Sequence, residues 1–190
     1  MTVKNRKKGT LFILSAPSGC GKTTVMKGLL KNNRKLVRSI SWTTREKRTG
    51  EKEGKDYFFV TQKKFLSHRE KENFLEWARV FGQYYGTPKN WVTQQLNKGK
   101  DVLLVIDTRG ARKVKKQVPC QLIFLNPPSM KVLRSRLEKR KTDSRQEVQK
   151  RLKEARFEMK QAVWYDYRVI NNTVRGAVKE IKKIIKGLGK

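Results

Sequence analysis

Ala16-Pro17-Ser18-Gly19-Cys20-Gly21-Lys22-Thr23-Thr24 gathers two glycines, a lysine and two threonine hydroxyls into one short segment. It matches the G-x-x-x-x-G-K-[ST] phosphate loop, with Ala16 standing where a first glycine is usual. Gly19 and Gly21 let the backbone curl so that successive N–H groups point inward at phosphate oxygens. A helix starting near Lys22 adds its positive end. Lys22 brings a point charge to the β and γ phosphates, and Thr23 offers a hydroxyl to Mg²⁺. The chemistry survives Ala16 if that residue keeps ordinary dihedrals. Cys20 reads as a small filler, since no base stands beside it in the sequence.

Such a loop needs a strand before it and a helix after it. Thr10–Ser15 (TLFILS) is a short apolar run that predicts a buried strand, and Thr23–Lys31 carries Met26, Leu29 and Leu30 on one helical face. Further strands are predicted at Asp101–Asp107, Gln121–Leu125 and Arg168–Asn171, and helices at 129–140, 146–162 and 174–188. Apolar strands alternating with helices predict a parallel sheet covered on both faces, with ligands at the carboxyl ends of the strands. Asp107 ends one of these strands. It reads either as an acid of the metal shell or as an ordinary strand-end cap. Between about Val37 and Trp91 aromatics are dense and glycines recur, which predicts a small inserted lobe of short strands and turns.

The chain has 190 residues, enough for one domain with a real core. The two cysteines, Cys20 and Cys120, make no disulfide framework, and the single histidine, His68, excludes a multi-histidine metal site within one chain. His68 lies in a charged run and reads as a solvated surface residue. No apolar stretch is long enough to span a membrane, so a cytoplasmic protein is expected. Lys and Arg total 47 against 16 Asp and Glu, a net charge of +31. That field attracts polyanions, although charge speaks to steering and solubility rather than to fold. Residues 1–9 read as a basic N-terminal arm.

Beyond the loop, Ser41-Trp42-Thr43-Thr44-Arg45-Glu46-Lys47-Arg48, Gly50-Glu51, Gly54-Lys55-Asp56-Tyr57, Phe74-Leu75-Glu76-Trp77-Ala78 and Tyr84-Tyr85-Gly86 follow in order. This series closely resembles guanylate kinase, from about Leu11 to Asn171. The resemblance implies an α/β fold of the P-loop NTPase kind, three layers α/β/α around a parallel core sheet, with an inserted GMP-binding lobe and a mobile lid. The boundaries it implies are a domain at 10–186, with core segments 10–36, 95–135 and 158–188, a GMP-binding lobe at 37–94 and a lid at 136–157. It implies an ATP:GMP phosphotransferase that makes GDP and ADP, with dGMP as a further acceptor and Mg²⁺ beside ATP as co-substrate.

Carried over by position, the resemblance assigns Arg45, Arg48, Tyr57 and Tyr85 to the GMP phosphate, and Ser41, Glu76 and Thr87 to guanine. Ala16 to Thr24, meaning Ala16, Pro17, Ser18, Gly19, Cys20, Gly21, Lys22, Thr23 and Thr24, together with Asn171, fall to ATP. Lys22, Arg45, Arg136, Arg140 and Arg151 fall to catalysis, and Thr23 and Asp107 to the metal. The residue chemistry agrees. Each guanidinium can grip a phosphate bidentately, and a buried Glu76 would accept from guanine's N1–H and N2–H₂ but be left unpaired by adenine. The sequence departs from the family at Val105, where an acid is usual, and at the lid turn Lys139-Arg140-Lys141, where glycines flank the arginine. ATP and GMP are the implied partners, in a monomer or homodimer with no membrane and no obligatory nucleic acid. The alternative reading is a non-catalytic guanylate kinase-like module that binds protein or nucleic acid; its mark would be a damaged phosphate loop.

Overall fold

The computed structural model describes residues 7–80, 82–139 and 144–188. In chain order the elements are β1 (Leu11–Ser15), α1 (Lys22–Leu30), β2 (Leu36–Arg38), β3 (Trp42–Thr43), β4 (Phe58–Phe59), α2 (Gln62–Glu70), β5 (Phe74–Val80) and β6 (Gln83–Pro88). They continue as α3 (Lys89–Asn97), β7 (Asp101–Val105), α4 (Thr108–Gln117), β8 (Gln121–Asn126), α5 (Met130–Glu138), α6 (Arg145–Gln161), β9 (Tyr167–Ile170) and α7 (Val174–Leu188). A five-stranded sheet has the order β2-β7-β1-β8-β9, and a four-stranded sheet the order β4-β3-β6-β5. The β2/β7, β1/β8 and β8/β9 ladders are parallel, as the run of apolar strands separated by helices requires. Among the described residues no helix is long and apolar enough to cross a membrane.

The fold separates into two compact units: Met1–Leu11, Lys35–Leu104 and Arg109–Cys120 in one, and Phe12–Arg34, Val105–Thr108 and Gln121–Lys190 in the other. In the second unit β1 is buried along its whole length, and β8 buries Leu122, Ile123, Phe124 and Leu125. Helix α7 faces the core with Ala177, Ile181 and Ile185, the stripe its periodicity predicts. Helix α6 starts at a capping box. Ser144 Oγ accepts the Glu147 N–H at 3.3 Å, and Glu147 Oε2 accepts the Ser144 N–H at 2.7 Å. Helices α5 and α6 close over Leu133, Leu137, Val148, Leu152 and Ala155, and α5 runs through Arg136 without a break.

In the first unit the short-strand lobe also contains a helix, which corrects the expectation of strands and turns alone. Helix α2 buries only Phe65, so its sequence QKKFLSHRE offers almost no apolar period. Tertiary packing supplies what periodicity lacks: the Phe65 ring stacks 4.6 Å from Phe74 and 5.3 Å from Tyr84, on one face of the four-stranded sheet. The expected elements likewise include neither α3, which buries only Val92, nor α4, a basic helix that runs through Gly110. The strand predicted over Asp101–Asp107 ends at Val105. His68 is also corrected. It is half-buried, its ring 4.4 Å from Trp42 and its Nδ1 3.3 Å from Asn73 Nδ2.

Gly86 marks the tightest packing on that face, because a Cβ there would lie 2.9 Å from Phe74 Cδ1 and 3.0 Å from Phe65 Cζ. Gly86→Ala should therefore cost about 1–3 kcal/mol through overpacking. Thermal unfolding should show a midpoint lowered by roughly 2–4 °C per kcal/mol for a chain of this size.

Candidate active site

The phosphate loop lies wholly within the second unit. β1 delivers the chain into Ala16, and no positive φ occurs at that residue, so alanine replaces the usual glycine without strain. Gly19 and Gly21 adopt φ of 89° and 87°, the left-handed region that favours glycine. Cys20 N–H donates to the Pro17 carbonyl at 3.1 Å, closing the turn, and Gly21 caps α1. No side chain caps that helix end, so its first amides and dipole are directed at whatever sits in the loop. Lys22 folds back, its Nζ 3.5 Å from the Ala16 carbonyl oxygen. Thr23 and Thr24 are exposed on the first turn of α1.

The loop is held from behind by groups that leave no room for side chains. A Cβ on Gly19 would lie 2.8 Å from Leu137 Cδ2, and one on Gly21 would lie 2.7 Å from Asn171 Nδ2. Asn171 is buried at the end of β9 and its Nδ2 donates to the Cys20 carbonyl at 2.7 Å. Cys20 Sγ donates to the Leu125 carbonyl at 3.2 Å, and burial pushes its thiol up to about 12 despite the opposing fields of Arg136 and Lys22. The thiol is therefore a neutral packing group. Arg151 Nη1 donates to Ser18 Oγ at 3.0 Å, and Arg136 Nη2 to the Asn171 carbonyl at 3.3 Å. Arg140 lies outside the described residues. Asp107 stands two residues past the end of β7 and immediately before α4, where a helix cap also belongs.

The other candidates gather in the first unit, on the four-stranded sheet. β5 and β6 are antiparallel, with Glu76 opposite Thr87 and Ala78 opposite Tyr85. Alternation of side chains puts Glu76, Thr87 and Tyr85 on one face, while Trp77 and Tyr84 share the other with α2. β3 pairs Thr43 with Tyr85, and β4 pairs Phe59 with Thr43. Glu76 and Thr87 are buried, and Thr87 Oγ1 donates to Glu76 Oε1 at 2.7 Å. Ser41, half-buried beside β3, accepts the Phe58 N–H on its carbonyl oxygen at 2.9 Å. The Arg45 guanidinium lies over the Tyr57 ring at 5.6 Å and the Phe59 ring at 5.8 Å, and the Tyr57 and Tyr85 rings are 5.9 Å apart. Burial, with Tyr85 alongside, pushes the Tyr57 phenol upward.

Glu51 organises this cluster, and no functional role follows for it from sequence alone. Its carboxylate accepts Arg45 Nη2 at 2.8 Å and 3.0 Å, and the Arg48 backbone N–H at 2.9 Å. Arg45 Nη1 also donates to the Glu46 carbonyl at 2.6 Å. The signal that could have found Glu51 is its spacing, six residues after one arginine and three after the other, on a loop too short to carry the carboxylate away. Burial opposes the charge on both partners. It is outweighed: Glu51 and Tyr85 raise Arg45, while the Arg45 and Arg48 donors hold Glu51 below the usual carboxylate range. The Arg48 side chain itself is exposed.

One unit thus carries a Gly-rich loop of phosphate-loop geometry, and the other a buried carboxylate–hydroxyl pair on the same sheet face as an arginine–tyrosine cluster. A family model described as guanylate kinase matches residues 8–188. This chain belongs to the guanylate kinase family. It is 47% identical over 181 residues to a guanylate kinase of Caldanaerobacter subterraneus subsp. tengcongensis, covering 95% of this chain and 88% of the relative. It is 48% identical to a guanylate kinase of Wolbachia sp. subsp. Brugia malayi, covering 97% and 95%. The crystal structure of guanylate kinase from Anaplasma phagocytophilum superposes with a TM-score of 0.81 at 38% identity, over 96% of this chain and 87% of that one. The P-loop α/β fold inferred from the resemblance agrees with that structure.

Two outcomes follow from the site. Glu51→Gln should lower stability by roughly 1 kcal/mol, the size of a partly exposed charged hydrogen-bonded pair. A depressed carboxyl contributes stability above its unfolded value, ordinarily near 4.5, and that contribution is lost as pH falls through the folded value. Urea midpoints followed from pH 6 to pH 3 should therefore decline less steeply in the variant. Cys20 should resist iodoacetamide in the native protein at pH 8 and react fully in denaturant, as peptide mass mapping would report.

Proposed function

We propose that this chain transfers the γ-phosphoryl group of ATP to GMP, giving ADP and GDP, with dGMP as a second acceptor, in the cytoplasm. The observation that carries the acceptor is the buried Glu76 carboxylate beside Thr87. A carboxylate there accepts from guanine's N1–H and N2–H₂, and Ser41 and Thr87 complete the reading of the base. Adenine offers neither donor and would forgo both hydrogen bonds to the buried carboxylate, a discrimination on the order of 10⁴.

Arg45 and Arg48 grip the GMP phosphate, with the Tyr57 and Tyr85 hydroxyls completing its shell. Glu51 holds the Arg45 fork and the Arg48 backbone in place. On the ATP side the amides from Gly19 to Thr24 cradle the β and γ phosphates, and Lys22 swings from the Ala16 carbonyl to meet them. The Thr23 hydroxyl and the Asp107 carboxylate are hard oxygen donors that suit Mg²⁺ held partly by substrate phosphates. When bound, that ion neutralises charge on the β and γ oxygens. A GMP phosphate oxygen attacks the γ-phosphorus in line, the bond to the β-phosphoryl oxygen breaks, and ADP leaves with that electron pair. No residue forms a covalent intermediate. Lys22, Arg136 and Arg151, with Arg140, offset charge spreading over the transferred group, and Asn171 fixes the loop that receives it.

A coupled assay of ADP release with GMP, dGMP, AMP, CMP and UMP tests this reading. GMP should turn over and AMP should not. Lys22→Ala should reduce turnover at least about 10²-fold, whereas Arg45→Ala should chiefly raise KM for GMP. Robust turnover with AMP in place of GMP would reject the assignment.

A further inference from the structure

Positive charge is unevenly spread along this chain. No Asp or Glu precedes Glu46, and that stretch includes Lys22, Lys27, Lys31, Arg34, Lys35 and Arg38. From Tyr167 to Leu188, Glu180 is the only acid against Arg168, Arg175, Lys179, Lys182, Lys183 and Lys186. The fold brings the helices of these two acid-poor segments together inside one compact unit. α1 packs on α7. Gly28 allows the approach, because a Cβ there would lie 2.7 Å from Val178 Cγ2, and Lys182 Nζ reaches the Lys31 carbonyl at 3.5 Å.

On α7 the buried stripe is Ala177, Ile181 and Ile185, while Lys179, Lys183 and Lys186 are exposed and Lys182 is half-exposed. The spacing 179, 182, 183, 186 lines one helical face. At about 1.5 Å of rise per residue this row extends about 10 Å, roughly three phosphates along one strand of a duplex. Lys27 and Lys31, one turn apart and both exposed, add a second row from α1. Neither row belongs to the phosphate loop or to the Arg45 cluster.

We propose that this α1–α7 ridge docks a nucleic-acid duplex by its phosphate backbone, without reading sequence. From Lys179 to Lys186 the exposed residues are lysines and Glu180, with no aromatic ring on which an unpaired base could stack. That composition favours a duplex over a single strand. An amphipathic membrane-surface helix needs exposed apolar side chains between its cations, and the large apolar residue α7 exposes is Val174, at its first position. The ridge therefore fits a phosphodiester polyanion rather than a bilayer. This interaction is independent of the phosphoryl-transfer reading.

The test is fluorescence anisotropy of the full chain with a labelled duplex of about 20 base pairs, from roughly 50 to 200 mM NaCl. Binding should weaken with salt, with a log–log slope of about −4 or steeper. K179Q/K182Q/K183Q/K186Q should weaken binding at least about 10-fold near 100 mM and make the slope shallower by about 3. K27Q/K31Q, on the other helix, should weaken it about 3-fold. K63Q/K71Q/K89Q/K98Q removes equal charge from the other unit and should leave affinity within about 2-fold. An unchanged thermal unfolding midpoint and far-UV circular dichroism spectrum in each variant confirm that it is folded. The proposal is overturned by equal losses in both quadruple variants, by tighter binding to phosphatidylserine vesicles or to a single strand of the same length, or by an absence of salt-sensitive duplex binding.

Discussion

The left-handed backbone at Gly19 and Gly21 is the constraint on which the phosphate loop depends. Amides can converge on a phosphate only if the chain reverses twice within three residues, and L side chains rarely accept that curvature. The surrounding structure then makes the curl obligatory. Leu133 and Leu137 fill the space a side chain on residue 19 would need, and Asn171 fills the space beside residue 21. Asn171 also spends its amide on the Cys20 carbonyl. The loop is thus preorganised from beneath by apolar packing and from beside by one buried amide, so few backbone rearrangements remain when an anion arrives.

The Arg45 cluster of the first unit meets a different constraint. A guanidinium on an exposed loop is mobile and well hydrated, and grips poorly. Here the Arg45 fork is oriented by Glu51 and flanked by two aromatic rings, so its conformational entropy is spent in folding rather than in binding. The buried Glu76 is tolerable because the Thr87 hydroxyl partly satisfies it. The buried carboxylate–hydroxyl pair and the arginine–tyrosine cluster are separate groups on the same sheet face.

Several elements are legible in the sequence itself. Thr10–Ser15, Gln121–Leu125 and Val174–Leu188 announced themselves through continuous apolar runs or a clean helical stripe, and the structure places elements there with ends shifted by at most a residue. Helices α2 and α3 were invisible because each buries one apolar residue, so no period can be read. His68 sits in a charged run yet lies against Trp42, because α2 turns that side of the helix toward the sheet. Local composition cannot report which face a helix presents.

The residue types alone pointed to one anion nest, from glycines and a lysine at fixed spacing, while the arginine–tyrosine site entered only through the order of motifs that resembles guanylate kinase. The loop is a short-range property, set by backbone freedom and by charge. Tertiary structure alone decided that Glu51 aims Arg45, that Asn171 serves the loop's backbone, and that the lysines of the first and last helices form one ridge. Each of these depends on a contact between segments distant in the chain or on which way a side chain faces, and neither is encoded in any local pattern.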